Sequence, residues 1–548
     1  MATPVGEVAL AAMRAHGVET MFTLSGGHIF PLYDAAVRGA TTAGTVRLVD
    51  VRHEQSAVFA AEATARLGRV PGFAALTAGP GVTNAVSALT TAHFNGSPVV
   101  VVGGRSPDAR WGAGALQELD HPALLAPVTK AAWTLHDPAQ VGARLDAACR
   151  LAVTPHRGPV FVDVPIDVMF AQADTAPVVS PEPVPAEPDG ESLARAAELL
   201  GQSQRPVLVI GSDVWQAGAE LLARELAEAL DLPVVANGMG RGVLPGGHRL
   251  LVNRARGRAF RDADLVLVLG APLDFRLNYG TFGDPTSPTP VIHLVDAADQ
   301  VGSHAPLAAK VAGDLRLALA QLLALTRQRL GGVPRQEWTD KLRADVAAAA
   351  EGDVALLASQ ATPIHPARVV GEIMRRLEAD GVMVVDGGDS ISFAGRFIEP
   401  RRPGCWLDSG PYGCLGTGVG YAIGARIARP ESQVVLLLGD GAAGFSLMDV
   451  DTLVRHALPV VIVVANNSCW AMEKHPMRQL YGYDVLADLR SGTSYDGVAR
   501  ALGGAGETVT RPDEIGAALD RAFASGVPYL VNVMTDPEVA YPRSTTGV

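Results

Sequence analysis

The stretch "VVLLLGDGAAGFSLMDVDTLVRHALPVVIVVANN", residues 434–467, places two sets of hard oxygen ligands in an otherwise apolar run. Gly439-Asp440-Gly441 follows one series of Val and Leu, and Asn466-Asn467 follows the next. A carboxylate, a carboxamide oxygen and a main-chain carbonyl supply half of an octahedral magnesium shell, which diphosphate oxygens and water can complete. Gly439, Gly441, Ala442 and Ala443 lack bulk, so N–H groups at a helix start can approach a phosphate there. Alone, the first signal reads as an ordinary turn and the second as a helix cap. Together, at two strand ends, they point to magnesium carrying a diphosphate.

Those ligands need a scaffold that brings them to one edge. The pattern between them predicts strand, turn, helix and strand, with Leu447, Val450, Val454 and Leu458 on one helical face and Pro459 as the stop. Such a βαβ unit has parallel strands, so Asp440 and Asn467 emerge together at the carboxyl edge, where α/β proteins hold ligands. Similar runs recur along the chain: "GFAALTAGPG" and "SPVVVVGGRS" early, "RPVLVIGSD", "DLPVVANGMG", "ADLVLVLGAP" and "PVIHLVDAA" in the middle, "GVMVVDGGD" and "VPYLVNVMTD" late. Continuous apolar strands alternating with helical patterns predict an α/β protein of three doubly wound parallel-sheet domains. A Pro-rich, acidic stretch at 171–192 reads as a linker, and a second composition shift spans 327–366 with one amphipathic helix inside it. The expected domains are 1–170, 190–330 and 360–548, the first and third being candidate structural repeats.

With 548 residues, three domains are the natural prior, and 48% hydrophobic with 19% charged residues describes an ordinary globular chain. The net charge of −12 argues against nucleic acid and anionic membrane surfaces as partners. Four scattered cysteines form no CxxC pair, which disfavours a disulfide framework or a thiolate zinc site. The N-terminal residues lack the apolar core of a signal peptide and no long uncharged apolar run occurs, so a cytoplasmic protein is the expectation.

Four segments in order carry a family resemblance: "VRHEQSAVFAAEATARLG" (51–68), "TAGPGVTNAVSAL" (77–89), "SGPYGCLGTGVGYAIGA" (409–425) and the GDG…NN unit. They resemble the thiamine-diphosphate-dependent enzymes of the acetolactate synthase and 2-hydroxyacyl lyase group, over nearly the whole chain. The resemblance implies Asp440, Asn467 and the main-chain carbonyl of Cys469 as magnesium ligands. It implies Glu54 as the acid that activates the aminopyrimidine, Leu415 as the prop that bends the cofactor, and Gly413 as its carbonyl acceptor. Gly388, Asp389 and Ser390 stand where acetolactate synthases show Gly-Gln-His beside the diphosphate. In the central domain, "LGAPLDFRLNYG" is similar to a flavin-contacting segment, retaining Asp274 and Arg276 but with Pro272 in place of an arginine; FAD, ADP or no nucleotide at all are the alternatives. A homodimer at least, and a dimer of dimers as the further expectation, follows from the same source.

Departures from that family mark the substrate side. Ser25-Gly26-Gly27-His28 replaces Pro-Gly-Gly-Ala, so His28 becomes a candidate proton shuttle or donor, with a plain surface loop as the alternative, and Gly27 lies beside it. Gly103-Gly104-Arg105 replaces Thr-Gly-Gln, whereas Gln117 keeps a substrate-side amide. Glu473 and His475 bring polarity where the synthases are apolar. The implied activity is a decarboxylating carboligase joining an acyl unit from a 2-oxo acid such as pyruvate to a second carbonyl. The alternatives are a lyase acting on a 2-hydroxyacyl thioester or 1,2-diketone, and a non-catalytic nucleotide- or thiamine-binding protein, which the retention of Glu54 disfavours.

Overall fold

The computed structural model describes residues 3–39, 46–173, 184–329 and 335–541. Three parallel sheets dominate it, each built around Val- and Leu-rich runs that the pattern marks as doubly buried strands. The first contains β1 (Thr20–Thr23), β2 (Arg47–Asp50), β3 (Gly72–Leu76), β4 (Val99–Arg105), β5 (Ala131–Thr134) and β6 (Val160–Pro165), in the order β2-β1-β3-β4-β6-β5. The central sheet contains β7 (Pro206–Ile210), β8 (Val234–Ala236), β9 (Leu265–Leu269), β10 (Val291–Val295) and β11 (Ala309–Ala312), ordered β8-β7-β9-β10-β11. The third contains β12 (Val382–Asp386), β13 (Trp406–Leu407), β14 (Val434–Gly439), β15 (Val461–Asn466), β16 (Ala505–Val509) and β17 (Tyr529–Met534), ordered β13-β12-β14-β15-β17-β16. The first and third sheets therefore share one strand order, which makes them repeats of a single topology.

Packing explains why the chain holds these three units together. The helix Glu54–Gly68 lies along the helix Thr417–Ala428 because glycines of the second let the backbones meet. A Cβ on Gly420 would stand 2.7 Å from that of Phe59, and one on Gly424 would stand 2.2 Å from the Ala60 carbonyl oxygen. Apolar residues of the first and third sheets merge there into one core. Within it Tyr421 donates to Glu62 at 2.8 Å, so the buried carboxylate is not left unpaired.

The linker expected at 171–192 falls partly outside the described residues. The helix within the second shift, Gln336–Leu357, docks on the central sheet through Trp338 and Leu342. Its Asp353 also accepts from Arg254 and from Arg396, which ties the central and third units together. Among the described residues, no helix is long and apolar enough to cross a membrane.

Candidate active site

The carboxyl ends of β12, β14 and β15 converge on a cavity of about 360 Å³. The helix after β14 begins earlier than the pattern predicts, at Asp440 itself, and runs to Ser446; a 3-10 turn over Leu447–Asp449 separates it from the helix Val450–Arg455. Leu447, Val450 and Leu458 are buried as expected, but the break in the helix turns Leu453 fully inward and leaves Val454 only partly covered. Starting at Asp440 places the N–H groups of Gly441 and Ala442 in the first turn, beside the cavity.

Asp440 is buried and reaches across to the end of β15, where its Oδ2 accepts from the Ser468 N–H at 2.6 Å while its Oδ1 accepts from the Gly441 N–H at 2.9 Å. Burial pushes its carboxyl up to about 6, against the partial relief of those two bonds. The two asparagines have separate tasks. Asn466 is buried and donates to Thr493 O and Asn532 Oδ1, holding the strand end. Asn467 faces the cavity, its Oδ1 accepting from the Cys469 N–H at 3.1 Å. Ser468, which follows them, takes φ 57°, the left-handed turn that swings the chain from Asn467 to Cys469.

This donor set fits a divalent cation. Asp440, Asn467 and Cys469 all line the cavity and offer hard oxygens, and the buried carboxylate is in need of a positive charge. The diphosphate side fits as well. Gly387 has φ 92° and turns β12 into the ten-residue helix Gly388–Phe397, whose first residues Gly388, Asp389 and Ser390 line the same cavity. A Cβ at Gly441 would meet the Trp470 ring at 2.4 Å, and one at Gly388 would stand 2.6 Å from the Met472 side chain, which would have to shift. Gly413, Leu415 and Gly439 also line the cavity; Ala443 is buried behind it.

On the substrate side of the cavity, the structure keeps one of the two polar candidates. Glu473 lines the cavity, whereas the His475 ring pairs with the Pro537 carbonyl oxygen at 3.1 Å and is absent from the lining. The helix Ala471–Tyr481 sets this difference, since residues two apart on a helix diverge by about 200°. Trp470 and Met472 line the cavity and were not singled out from the sequence, because an apolar residue beside a site carries no chemical signature.

A second cluster forms on the first domain around the Thr77–Asn84 turn. Glu54 opens its helix, is buried, and accepts from Asn84 Nδ2 at 2.9 Å. His28 is 9% exposed, so the plain surface-loop reading fails; its Nδ1 pairs with Thr77 Oγ1 at 3.0 Å. Burial, and then His121, hold its pKa below the ordinary value, which favours the neutral ring. The Gly104 that this chain shares with Thr-Gly-Gln faces His28, where a Cβ would stand 2.4 Å from the His28 Cβ, and at the replaced position Gly103 a Cβ would stand 2.5 Å from the Phe161 ring. Gln117 takes φ 60° and packs on Gly79, while Gly27 faces open space.

Sequence reasoning missed the network beneath this turn. The Gly79 N–H donates to His121 Nε2 at 2.9 Å, His121 Nδ1 pairs with Asp163 Oδ1 at 3.0 Å, and Arg105 Nη1 lies 3.1 Å from Asp163 Oδ2. An Nε2 that accepts leaves the proton on Nδ1, facing the carboxylate. These residues come from a turn, a helix start and two strands that are far apart in the chain, so only the fold unites them. Among the described residues, none of the first domain lines the third-domain cavity; Glu54, His28 and Gln117 form their own group. Asp274 and Arg276 lie in the central domain, paired with each other at 2.7 Å.

Family comparisons agree with this geometry. The chain matches the N-terminal TPP binding domain of thiamine pyrophosphate enzymes over residues 3–124, their central domain over 193–322 and their C-terminal TPP binding domain over 386–533. It is 48% identical to the probable acetolactate synthase of Mycobacterium bovis over 543 residues, covering 98% of this chain and 97% of that protein. The acetolactate synthase large subunit IlvG of Mycobacterium tuberculosis gives the same figures, 48% identity with 98% and 97% coverage. Human 2-hydroxyacyl-CoA lyase 2 is 33% identical, covering 93% of this chain and 85% of its own length. With three matching domains in order and a cavity whose donors suit the cofactor they bind, the chain belongs to the thiamine pyrophosphate enzyme family.

Proposed function

We propose that this enzyme is a magnesium-dependent carboligase that releases the carboxylate of a 2-oxo acid such as pyruvate and adds the acyl unit to a second carbonyl. The observation that carries the reading is Glu54, a buried carboxylate held by Asn84, because cofactor binding alone does not call for such an acid. When bound, thiamine diphosphate supplies the carbanion equivalent that this bond formation needs. Asp440, Asn467 and the Cys469 carbonyl would hold its magnesium, and the N–H groups of Gly388–Ser390 and Gly441 its phosphates. Leu415 would fix its bend, with the Gly413 carbonyl as an acceptor for the amino group. Glu54 would hold a proton at the pyrimidine ring nitrogen, and His28 would donate to the developing alkoxide of the acceptor.

The working unit in this reading is a homodimer, assembled further as a dimer of dimers. Support comes from the separation of the two clusters: the cavity draws on the third domain alone, and Glu54, His28 and Gln117 sit on the first. A second copy would bring its first domain over the cavity.

The test is product analysis after incubating the protein, thiamine diphosphate and magnesium with labelled pyruvate and a panel of aldehydes, ketones and 2-oxo acids. Labelled carbon dioxide with a ligated hydroxyketone or hydroxy-oxo-acid is expected. A protein that retains the cofactor yet leaves pyruvate untouched with every acceptor refutes it. The polar Glu473 in the cavity and the lyase relatives favour a second reading, cleavage of a 2-hydroxyacyl thioester, which the same protein would reveal by releasing an aldehyde from such a thioester.

A further inference from the structure

In an open parallel sheet, a nucleotide diphosphate sits in the crevice at the carboxyl edge where the strand order reverses. In the central sheet that point lies between β7 and β9, at Gly211 and Gly270. We propose that this crevice is closed by the protein's own ion cluster, Asp213 and Asp296 with His156 and Arg157, and that the central domain takes neither FAD nor ADP.

Steric closure is the first ground. The two strand-end turns touch, since a Cβ on Gly211 would stand 2.0 Å from the Gly270 carbonyl oxygen. Backbone donors that a phosphate would use are engaged: Gly211 N–H donates to Leu269 O, Asp213 N–H to Gly270 O and Gly270 N–H to Leu294 O. Ser212 Oγ accepts from the Met239 N–H at 3.1 Å.

Charge is the second ground. Asp213 is buried just after the turn, and Asp296 is buried at the end of β10. With His156 they bring one polar atom each within 4.8 Å of one another. An incoming diphosphate would find the cationic side chains of this crevice already engaged by these carboxylates. The first domain supplies the neutralising charges: His156 Nδ1 stands 3.0 Å from Asp296 Oδ1, and Arg157 Nη1 stands 3.6 Å from Asp296 Oδ2. Lys130 fixes this segment by donating to the carbonyls of Thr154 and His156, each at 2.6 Å. The His156 ring also rests on Gly96, where a Cβ would lie 2.6 Å from its Nε2.

The titration of these groups is consistent with such a closed cluster. Burial, with Asp296 adding to it, pushes Asp213 up to about 7 against the pull of His156 and Arg157. For His156 burial acts downward, but Asp213 and Asp296 outweigh it and raise the ring to about 9. The cluster also has the make-up of a cation site, yet two cationic side chains already occupy that role. Asp274 and Arg276, the pair that suggested a flavin, are spent on each other, and Asp274 additionally caps its own turn by accepting from the Arg276 N–H at 2.9 Å.

The test uses the full chain purified with thiamine diphosphate and magnesium. After denaturation, chromatography of the supernatant should give thiamine diphosphate and no FAD, FMN or ADP. Titrating the native protein with FAD or with ADP should change neither flavin fluorescence nor the unfolding temperature. FAD or ADP recovered near one per chain, or saturable binding that Arg276→Ala removes, would overturn the proposal. Asp213→Gly clears one carboxylate and its bulk, so the variant should gain measurable ADP or FAD affinity. A folded variant that gains none would also overturn the assignment of closure to Asp213. Thiamine diphosphate recovery reports on the catalytic reading separately.

Discussion

Replacing Asp440 by Asn should make the cofactor-free protein more stable while abolishing its response to magnesium and thiamine diphosphate. The carboxyl is displaced from its ordinary 3.8 to about 6 by burial. At ~1.4 kcal/mol per pKa unit, the charged side chain burdens the fold by about 3 kcal/mol above the folded value. The sign follows from the upward shift. The protonated form is favoured in the fold, so this contribution is fully present below pH 3.8 and is lost as pH rises through about 6. Asparagine removes that loss, but its amide NH2 must face either the Ser468 or the Gly441 N–H, both of which Asp440 now accepts. Setting a donor against a donor in a buried place costs ~1–2 kcal/mol, which leaves a net gain of about 1–2 kcal/mol at neutral pH. Denaturant unfolding of the metal-free proteins across pH 4–8 reads it directly, with the difference between variant and wild type growing from pH 4 and levelling above about 7. With magnesium and cofactor present, the order should invert, because a ligand at a hundredfold its Kd adds ~2.7 kcal/mol to wild type only. A variant that is less stable without metal at neutral pH, or that keeps the magnesium-dependent gain, would refute the reasoning.

Glu54→Gln should still bind thiamine diphosphate with magnesium, yet its C2 proton exchange in deuterated buffer should fall by orders of magnitude; unchanged exchange removes Glu54 from activation. His28→Ala should leave that exchange intact and slow ligation by about 100-fold, the size of one lost donor to a developing oxyanion, as a turnover assay with acceptor would show. Gly104→Ala should mimic it, because the new methyl would stand 2.4 Å from the His28 Cβ; a wild-type product profile would speak against the coupling. His121→Phe removes the acceptor for the buried Gly79 N–H and should cost ~1–3 kcal/mol in denaturant unfolding, with His121→Gln recovering part of it.

Much of the third domain was legible before any coordinates, because its signals are local. Asp440 and Asn467 each end an apolar strand, and the parallel geometry of a βαβ unit does the rest. The strands that escaped notice are instructive. Of the seven in the three parallel sheets, Arg47–Asp50, Ala131–Thr134, Ala309–Ala312, Trp406–Leu407 and Ala505–Val509 lie at sheet edges, four of these five being only partly covered. Thr20–Thr23 and Val160–Pro165 lie inside the first sheet, where polar Thr20, Thr23 and Asp163 interrupt the apolar run. Facing within a helix was harder. Where the helix Ala471–Tyr481 begins decides that Met472 and Glu473 look into the cavity and His475 away, and no spacing rule fixes that start. Partnerships between remote segments, such as Arg254 and Arg396 on Asp353 or His121 on Gly79, join residues that are distant in the chain and have no local signature.

The division of site residues between two separate clusters has a genetic corollary. In the proposed dimer each catalytic centre takes Glu54 from one chain and Asp440 from the other. Two inactive chains, one carrying Glu54→Gln and one carrying Asp440→Ala, would then pair so that both lesions fall in one centre and the other centre is intact. Random reassociation of equal amounts makes about half the dimers mixed. The mixture should recover about a quarter of wild-type turnover from two preparations that have none.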